Sequence, residues 1–571
     1  MPLTAPPRPL HICKLLTVTL LFTVLPGHAE PAAPDAGQTL RELQKLPDLT
    51  PPQPEPQLQI DQQLHIQEPP PEVRKSKPDD TRFMVKSVRI NGNSSIPTGE
   101  FDALIAGLTG AEHDLNDLKA VAARITAYYR ARGYPVARAY LPAQDIIDGA
   151  VSINVIEGRV AKRPIDNQSR LSDKNVNDFL GRIKEGDVVR TAPIDRTLRL
   201  LNDMPGVGGA RASLQPGAGV GTSDLLVELK PGPAYSGNIN LDNYGDRYIG
   251  AYRLGGTLHI NSPFRIGDQI SLAALASDQH LAFGRAAYQL PVGSDGLRLG
   301  AAYSDTRYSL GKEFLSLDAH GTAASNSVFA VYPFIRSQSV NVNGAFTWEQ
   351  KNLADYVDTT SSVSEKHIRV ANLDMSGNLV DALGGNTGFD LSVALGRLDI
   401  ESPVALAIDE VTARTNGAYT RLSYAANRLQ SLTVSNQLFL SISGQRASKN
   451  LDSSEQFSLG GANGVRAYPQ GEGIGDQGYL VNLELRHNIG DTLQETLFYD
   501  TGSITVNRDP YGPPALNSRT LSGAGVGANA SLAGTQFKVA LAWRTEGGQP
   551  TSIPASAAHT PTVWFQASEQ F

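Results

Sequence analysis

From about residue 233 to the C-terminus, apolar and polar residues alternate one for one. In YSGNINLDNY, Tyr235, Gly237, Ile239 and Leu241 share one face, with Ser236, Asn238, Asn240 and Asp242 on the other. In AYRLGGTLHI, Tyr252, Leu254, Gly256, Leu258 and Ile260 oppose Arg253, Thr257 and His259. A repeat of two is the period of an extended strand with one apolar and one polar face. The pattern returns in GLRLGAAYS, GYLVNLELRHNI, TQFKVALAWRT and the terminal TVWFQASEQF, while helical spacing is nearly absent. About 337 residues at roughly 21 per strand and loop predict about 16 antiparallel strands, the size range of closed outer-membrane barrels. In lipid every backbone polar group has to be paired, so a spanning sheet must close. A soluble sandwich or β-helix is the alternative that alternation alone leaves open.

Ahead of residue 233 the spacing is mixed. FMVKSVRINGN reads as one strand, with Phe83, Val85, Ser87, Arg89 and Asn91 on one face, Val88 and Ile90 on the other, and Asn91-Gly92 as its end. PTGEFDALIAGL predicts a short helix. A second helix, DLNDLKAVAARITAYYRARGY, carries Leu115, Leu118, Ala122, Ile125 and Tyr129 at spacings of three and four, with Asp114 as cap and Gly133 as stop. The strands VARAYL and AVSINVIEGRV complete a β-α-α-β-β unit over 81–163. A shorter unit over 164–232 repeats that order: strand VAKRPI, helix SDKNVNDFLGRI capped by Ser172, helix PIDRTLRLLNDM ending at Pro205-Gly206, then strands at RASLQP and SDLLVELKP. Neither unit holds a paired acid and base or a metal-ligand spacing, so no catalytic, cofactor or metal residue and no enzyme activity is expected.

The first residues have yet another texture. Arg8, His11 and Lys14 surround the start of an apolar run from Leu15 to Leu25, which ends at Pro26-Gly27 and Ala29. The run is too short to cross a bilayer as a helix, so residues 1–29 read as a secretory signal peptide. The only cysteine, Cys13, lies within it, leaving the exported chain without a thiol for disulfides or zinc. In 30–47, DAGQTLRELQKL puts Leu40, Leu43 and Leu46 on one helical face and Arg41, Glu42 and Lys45 on the others. A helix this short is marginal in water and is ordered only when docked. Residues 48–80, with PDLTPPQPEPQ and EPPPEVRKSKPDD, form a proline-rich linker that reaches roughly 90 Å when extended.

Composition narrows the function. A formal net charge of -7 with 19% charged residues excludes a basic nucleic-acid binder, so no nucleic-acid partner is expected. GAGVGANASLAG, around Gly523, lacks the lysine of a phosphate loop and reads as barrel strand and turn. The most conspicuous stretch is FSLGGANGVRAYPQGEGIGDQGYLVNLELRH, from Phe457 to His487, where glycines crowd around one cation, Arg466.

These pieces in this order carry a resemblance that covers nearly all of the exported chain. The tandem modules resemble polypeptide-transport-associated (POTRA) domains. GVRAYPQGEGIGDQG followed by the LELRH strand is similar to the sixth extracellular loop of the outer-membrane transporters of two-partner secretion, the TpsB type that includes haemolysin and haemagglutinin secretion and activation proteins. LFYDTG, Leu497 to Gly502, fits that family's later strand motif.

The resemblance implies an outer-membrane barrel over 233–571, two periplasmic POTRA domains and a plug helix whose leucines dock in the lumen. It also implies a large β-helical exoprotein partner, of adhesin or haemolysin type, bound by strand addition at a POTRA edge and passed to the cell surface. Val465, Arg466 and Tyr468 would form the loop tip, Phe498, Asp500 and Gly502 the inward strand face, and Arg466 would pair with Asp500. Phe571 would be the terminal aromatic read by the barrel-assembly machinery. The remaining partner is outer-membrane lipid. The family has glycine where this chain has Ala467, so a turn that needs positive φ would differ here. A barrel-assembly factor shares the modules, the loop arginine and the barrel, though usually with more modules. A diffusion porin would leave the modules without purpose.

Overall fold

The computed structural model describes residues 33–44, 65–66, 82–511 and 517–571. The expected signal peptide with Cys13, the third plug leucine Leu46 and most of the linker lie outside them.

The alternating region closes into a barrel of sixteen antiparallel strands, from Tyr235–Asp242 to Thr562–Gln570. The last strand pairs with the first, Asn238 opposite Gln570 and Asp242 opposite Gln566, so no open edge remains. The sides are inverted relative to a soluble protein: Tyr235, Ile239, Leu241 and Leu254 are exposed outward, whereas Asp242, Arg253, Thr257 and His259 are buried inward. The chain enters the barrel from the side of the two modules, so tight turns close that end and the longer connections lie at the other. The longest strands, Ala319–Arg336, Val340–Val357 and Ser362–Val380, form one wall. GAGVGANASLAG is strand and turn as expected, the strand running to Leu532 and Ala533-Gly534 making the turn.

In the first module the long helix Leu115–Ala131 follows Asp114, whose side chain accepts from Asp117 N–H in a capping box. Leu118, Ala122, Ile125 and Tyr129 are buried, and Gly133 has positive φ at the stop. The single strand expected over FMVKSVRINGN is in fact two. Phe83–Val85 pairs with Ala111–His113, and Ser87–Asn91 pairs in parallel with Ala150–Ile156. The chain changes sheets at Lys86, whose N–H bonds to Gly149 O at 2.8 Å, so the buried face switches and both Val85 and Ile90 reach the core.

AVSINVIEGRV also divides. Arg159–Val160 crosses into the second sheet, beside Thr222–Pro231, and the expected strand VAKRPI survives only as Arg159–Val160 and Ile165–Asn167. The helices Asp173–Leu180, capped by Ser172, and Thr191–Asn202 pack on that sheet, the latter starting two residues earlier than the sequence suggests. Part of the linker is strand as well, since His65–Ile66 lies parallel to Ser213–Leu214.

The second module sits directly against the barrel's periplasmic turns. Arg336 makes two 2.7 Å bonds to the Asp203 carboxylate, Arg196 reaches Pro333 O at 2.8 Å, and Ser172 N bonds to Arg265 O at 2.9 Å. These contacts hold the module at the mouth of the lumen.

Candidate functional site in the barrel lumen

The connection between the strands Asn436–Ala447 and Gln477–Ile489 leaves the extracellular rim and folds back inside the barrel. A two-residue hairpin, Phe457–Ser458 with Ile474–Gly475, narrows its base. Inside it, Val465 N bonds to Leu459 O at 2.7 Å and Tyr468 N to Val465 O at 3.0 Å, which turns the tip tightly enough to aim one side chain at the wall. Val465, Ala467 and Tyr468 are fully buried there.

Arg466 meets Asp500 as a fork. Nε donates to Oδ2 at 2.8 Å, a terminal nitrogen donates to Oδ1 at 2.7 Å, and the Arg466 backbone N–H adds a third bond to Oδ2 at 3.1 Å. The other terminal nitrogen donates to Glu484 at 2.8 Å, and the guanidinium lies 3.5 Å above the Phe498 ring centre. A planar guanidinium matches a carboxylate edge and also stacks, which a lysine cannot reproduce. Asp500 has no exposed surface. Burial works against the Arg466 charge, but the bonds and charges of Asp500 and Glu484 outweigh it and hold its pKa above the ordinary arginine value. Breaking such a buried pair by removing one member typically costs about 3–5 kcal/mol.

The surrounding wall completes the seat. Trp564 donates its indole N–H to Arg466 O at 2.7 Å, Asn482 bridges Gly464 O and Asp500, and Tyr468 donates to Glu546 O at 2.7 Å. Phe498, Asp500 and Gly502 share the inward face, as expected from LFYDTG. At Gly502 a side-chain carbon would lie 2.7 Å from Leu459 of the loop, so only glycine admits that contact. At Ala467 φ is not positive, so the turn in this chain needs no glycine there. The wall supplies the space instead, because a Cβ on Gly523 would come within 2.4 Å of the Ala467 methyl.

The second lumenal element is helix α1 (Ala36–Gln44). Leu40 and Leu43 are buried with Ala36 among Leu275, Phe283, Leu353 and Ile368 of the wall. Polar contacts fix its N-terminus. Ala36 N donates to Asp355 at 2.8 Å, and the Ser453 hydroxyl bonds to Asp35 at 2.6 Å. Lys366 pairs with Asp452 at 2.8 Å and lies 3.8 Å from Asp35. Gly37 packs so closely that an added Cβ would sit 2.3 Å from Ser453 Oγ. Since 452–456 is the approach to the folded-in loop, helix and loop touch each other as well as the wall.

Arg41, assigned to a polar face from the sequence, is buried instead. One terminal nitrogen donates to Ser453 O at 2.9 Å and, at 3.4 Å, to Gln456 O. Its Nε and remaining terminal nitrogen have no partner among the described residues. Burial lowers its pKa, with Glu42, Asp35, Asp452 and Glu455 opposing.

Sequence reasoning missed Glu484, Asn482, Trp564, Asp35, Ser453 and Asp355. Asn482 and Glu484 were within reach, because they lie on the polar face of YLVNLELRH and oppose Asp500 and Phe498 in the ladder. The others come from distant segments and carry no local mark. Phe571 is exposed at the barrel seam, exchanging two 3.0 Å backbone bonds with Gly237.

Residues 221–530 match the family described as haemolysin secretion/activation protein ShlB/FhaC/HecB, and residues 83–158 match the ShlB-type POTRA domain. The chain is 27% identical over 540 residues to the heme/hemopexin transporter protein HuxB of Haemophilus influenzae, covering 92% of this chain and 94% of that one. It is 25% identical to the outer membrane transporter CdiB of Dickeya dadantii, over 71% of this chain and 72% of that one. In three dimensions it resembles CdiB from Escherichia coli with a TM-score of 0.70 at 20% identity, covering 88% of this chain and 93% of that structure.

Proposed function

The chain belongs to the haemolysin secretion/activation family and is an outer-membrane transporter of two-partner secretion, and from that premise we propose how its parts divide the work. The family is one of transporters, and a secreted protein is its partner. Residues 1–29 direct export, 30–47 plug the lumen and 48–80 tether the plug. The POTRA domains, 81–163 and 164–232, receive the exoprotein, and the barrel from 233 onward conducts it.

One observation carries the reading: the lumen holds an anchored loop and a separate short helix side by side. The Arg466–Asp500 fork keeps the loop inside throughout transport, with Val465, Tyr468, Phe498 and Gly502 forming its seat. Leu40, Leu43 and Leu46 seat the helix, which leaves before an unfolded exoprotein threads through. Folding outside then discourages return. The cargo is a large β-helical protein that adds a strand to a POTRA edge. Ser87–Asn91 and Arg138–Tyr140, the outer strands of the first module's sheet, support this because each has one side unpaired among the described residues. Phe571, at the seam, is the residue the barrel-assembly machinery reads.

The test compares proteins in the medium, on the surface and in the outer membrane with and without this gene. One large protein should vanish from medium and surface while other barrels keep their levels. If many barrels fall together, an assembly factor is at work. If only small-solute uptake changes, the pore is a porin. Removing Phe571 should lower the inserted amount of this barrel alone, and normal insertion would refute its role.

A further inference from the structure

The outer wall changes character abruptly along the strands Ser362–Val380 and Gly385–Ile400. Ile368 is buried in the lumenal cluster that holds Leu40 and Leu43, and Lys366 pairs with Asp452, so the alternate positions of the first strand face the membrane. Outward from the periplasmic side run Leu379, Gly377, Met375, Leu373 and Ala371, and beside them Phe389, Leu391, Val393 and Leu395. At about 3.3 Å per residue and a tilt near 40°, such a run rises roughly 20–25 Å, the height of a barrel's apolar band. The next outward pair is Arg369 directly opposite Arg397.

Two like charges facing each other across a ladder destabilise a sheet. Asp399 relieves part of this, accepting from Arg369 at 2.7 Å and from Arg397 at 2.9 Å. One carboxylate cannot neutralise two guanidinium groups. The side chains stay 51% and 62% exposed, where an ion pair adds little to stability. Positive charge is therefore left over at this rung, since the next carboxylate on the same face of the strand, Glu365, lies four residues or roughly 13 Å further out, and it sits on donors shaped for a bidentate oxyanion.

A second feature adjoins it. A groove of about 680 Å³ opens on the same outer wall, floored by Ala286 and Ala301 and flanked by Tyr303, Val328 and Trp348. Tyr303, Asn326, Gln350, Arg369 and Arg397 follow one another along a single ladder row, which puts the arginines two and three strands from the groove's mouth. Neighbouring strands are about 4.8 Å apart, so the offset is roughly 10–15 Å. A single-chain lipid would not bridge that distance beneath one headgroup, whereas a broad headgroup with several acyl chains would.

We propose that Arg369 and Arg397 clamp a phosphate of a multiply acylated, phosphorylated glycolipid of the outer leaflet, one of whose acyl chains fills the groove beside Trp348. Charge complementarity and the position at the band's edge select this occupant over a protein partner. The proposal is independent of how the lumen works.

Native mass spectrometry of the full chain in detergent, equilibrated with bisphosphorylated lipid A, tests it. The wild type should retain the lipid, and Arg369→Gln/Arg397→Gln should lose it about tenfold or more, the effect of removing charge-assisted bonds. Arg369→Lys/Arg397→Lys should restore only part of the retention. Arg307→Gln removes another outward arginine, 74% exposed and paired with Asp305, and should change nothing. Heat-modifiable migration verifies that each barrel is folded. Equal retention by the double glutamine variant, equal loss with Arg307→Gln, or equal binding of phosphate-free lipid A or phosphatidylglycerol by the wild type would each overturn the assignment.

Discussion

Two arginines are buried in the same lumen and are treated in opposite ways. Arg466 spends its guanidinium on Asp500, Glu484 and the Phe498 face, and its own backbone is held by Trp564 and Asp500. Arg41 has two backbone carbonyls, reached through one nitrogen, while two of its nitrogens find no partner among the described residues. A buried charge is tolerable when every donor is matched and costly when it is not. The difference separates a fixture from a removable part. The loop is riveted to the wall, whereas the nine-residue helix is held by two leucines, a close glycine and a cluster of carboxylates around Lys366 that water could replace.

The largest effect should come from breaking the rivet. Arg466→Ala leaves Asp500 buried without its cation, at about 3–5 kcal/mol of lost anchoring, and export of the partner should fall at least tenfold. The barrel should still appear in the outer membrane, with the 457–476 loop newly open to external protease. Export at wild-type level would place both arginines in the same dispensable class.

Next comes unseating the helix without touching a charge. Gly37→Val drives a side chain into Ser453 and should cost about 1–3 kcal/mol, shifting the docked-to-free ratio roughly tenfold. In planar bilayers the open conductance should rise accordingly, and deletion of 33–44 should set its upper limit. An unchanged conductance in both would mean the helix does not block the pore.

A smaller effect should follow pH. Asp246, in the turn beside α1, has its pKa pushed up to about 8, first by burial and then by the Glu42 charge on the helix. A folded-state pKa raised above the ordinary value of 3.8 means that the docked state holds the proton more tightly. Its contribution to docking is therefore full at low pH and lost as pH rises through about 8. Conductance should climb over that interval, and Asp246→Asn should flatten the profile. A flat wild-type profile would dissociate Asp246 from docking.

The smallest change should sharpen the contrast. Arg41→Met replaces a half-satisfied cation by an apolar chain of similar length, and such replacements are often neutral or stabilising. The plug should tighten by about 0.5–1 kcal/mol, so spontaneous openings become a few times rarer. The same change at Arg466 should abolish export. If Arg41→Met opened the pore instead, the distinction between the two sites would fail.

Much of this was legible from one chain because two of the codes involved are local. Strict alternation identifies a strand and puts Asp500 and Phe498 on one face of LFYDTG, while their nearness to Arg466 was implied only by the family resemblance. What failed were continuity judgements. FMVKSVRINGN has an unbroken strand pattern, yet the chain hops sheets at Lys86 because Gly149 O, sixty-odd residues away, captures its N–H. Arg41 reads as a solvent-facing charge on a helical wheel. Only the enclosure of α1 within a ring of strands removes the solvent from it.

The sequence by itself determined a run of about sixteen alternating strands, the two α+β modules and the amphipathic helix, since all of these follow from side-chain period and capping chemistry within short windows. Tertiary structure alone decided what faces what across hundreds of residues: Arg466 against Asp500 and Glu484, Gly37 against Ser453, Ala467 in the space left by Gly523, and Arg369 opposite Arg397 at the edge of the apolar band. Closing a barrel fixes register around its whole circumference, and register, not local preference, sets which distant charges meet.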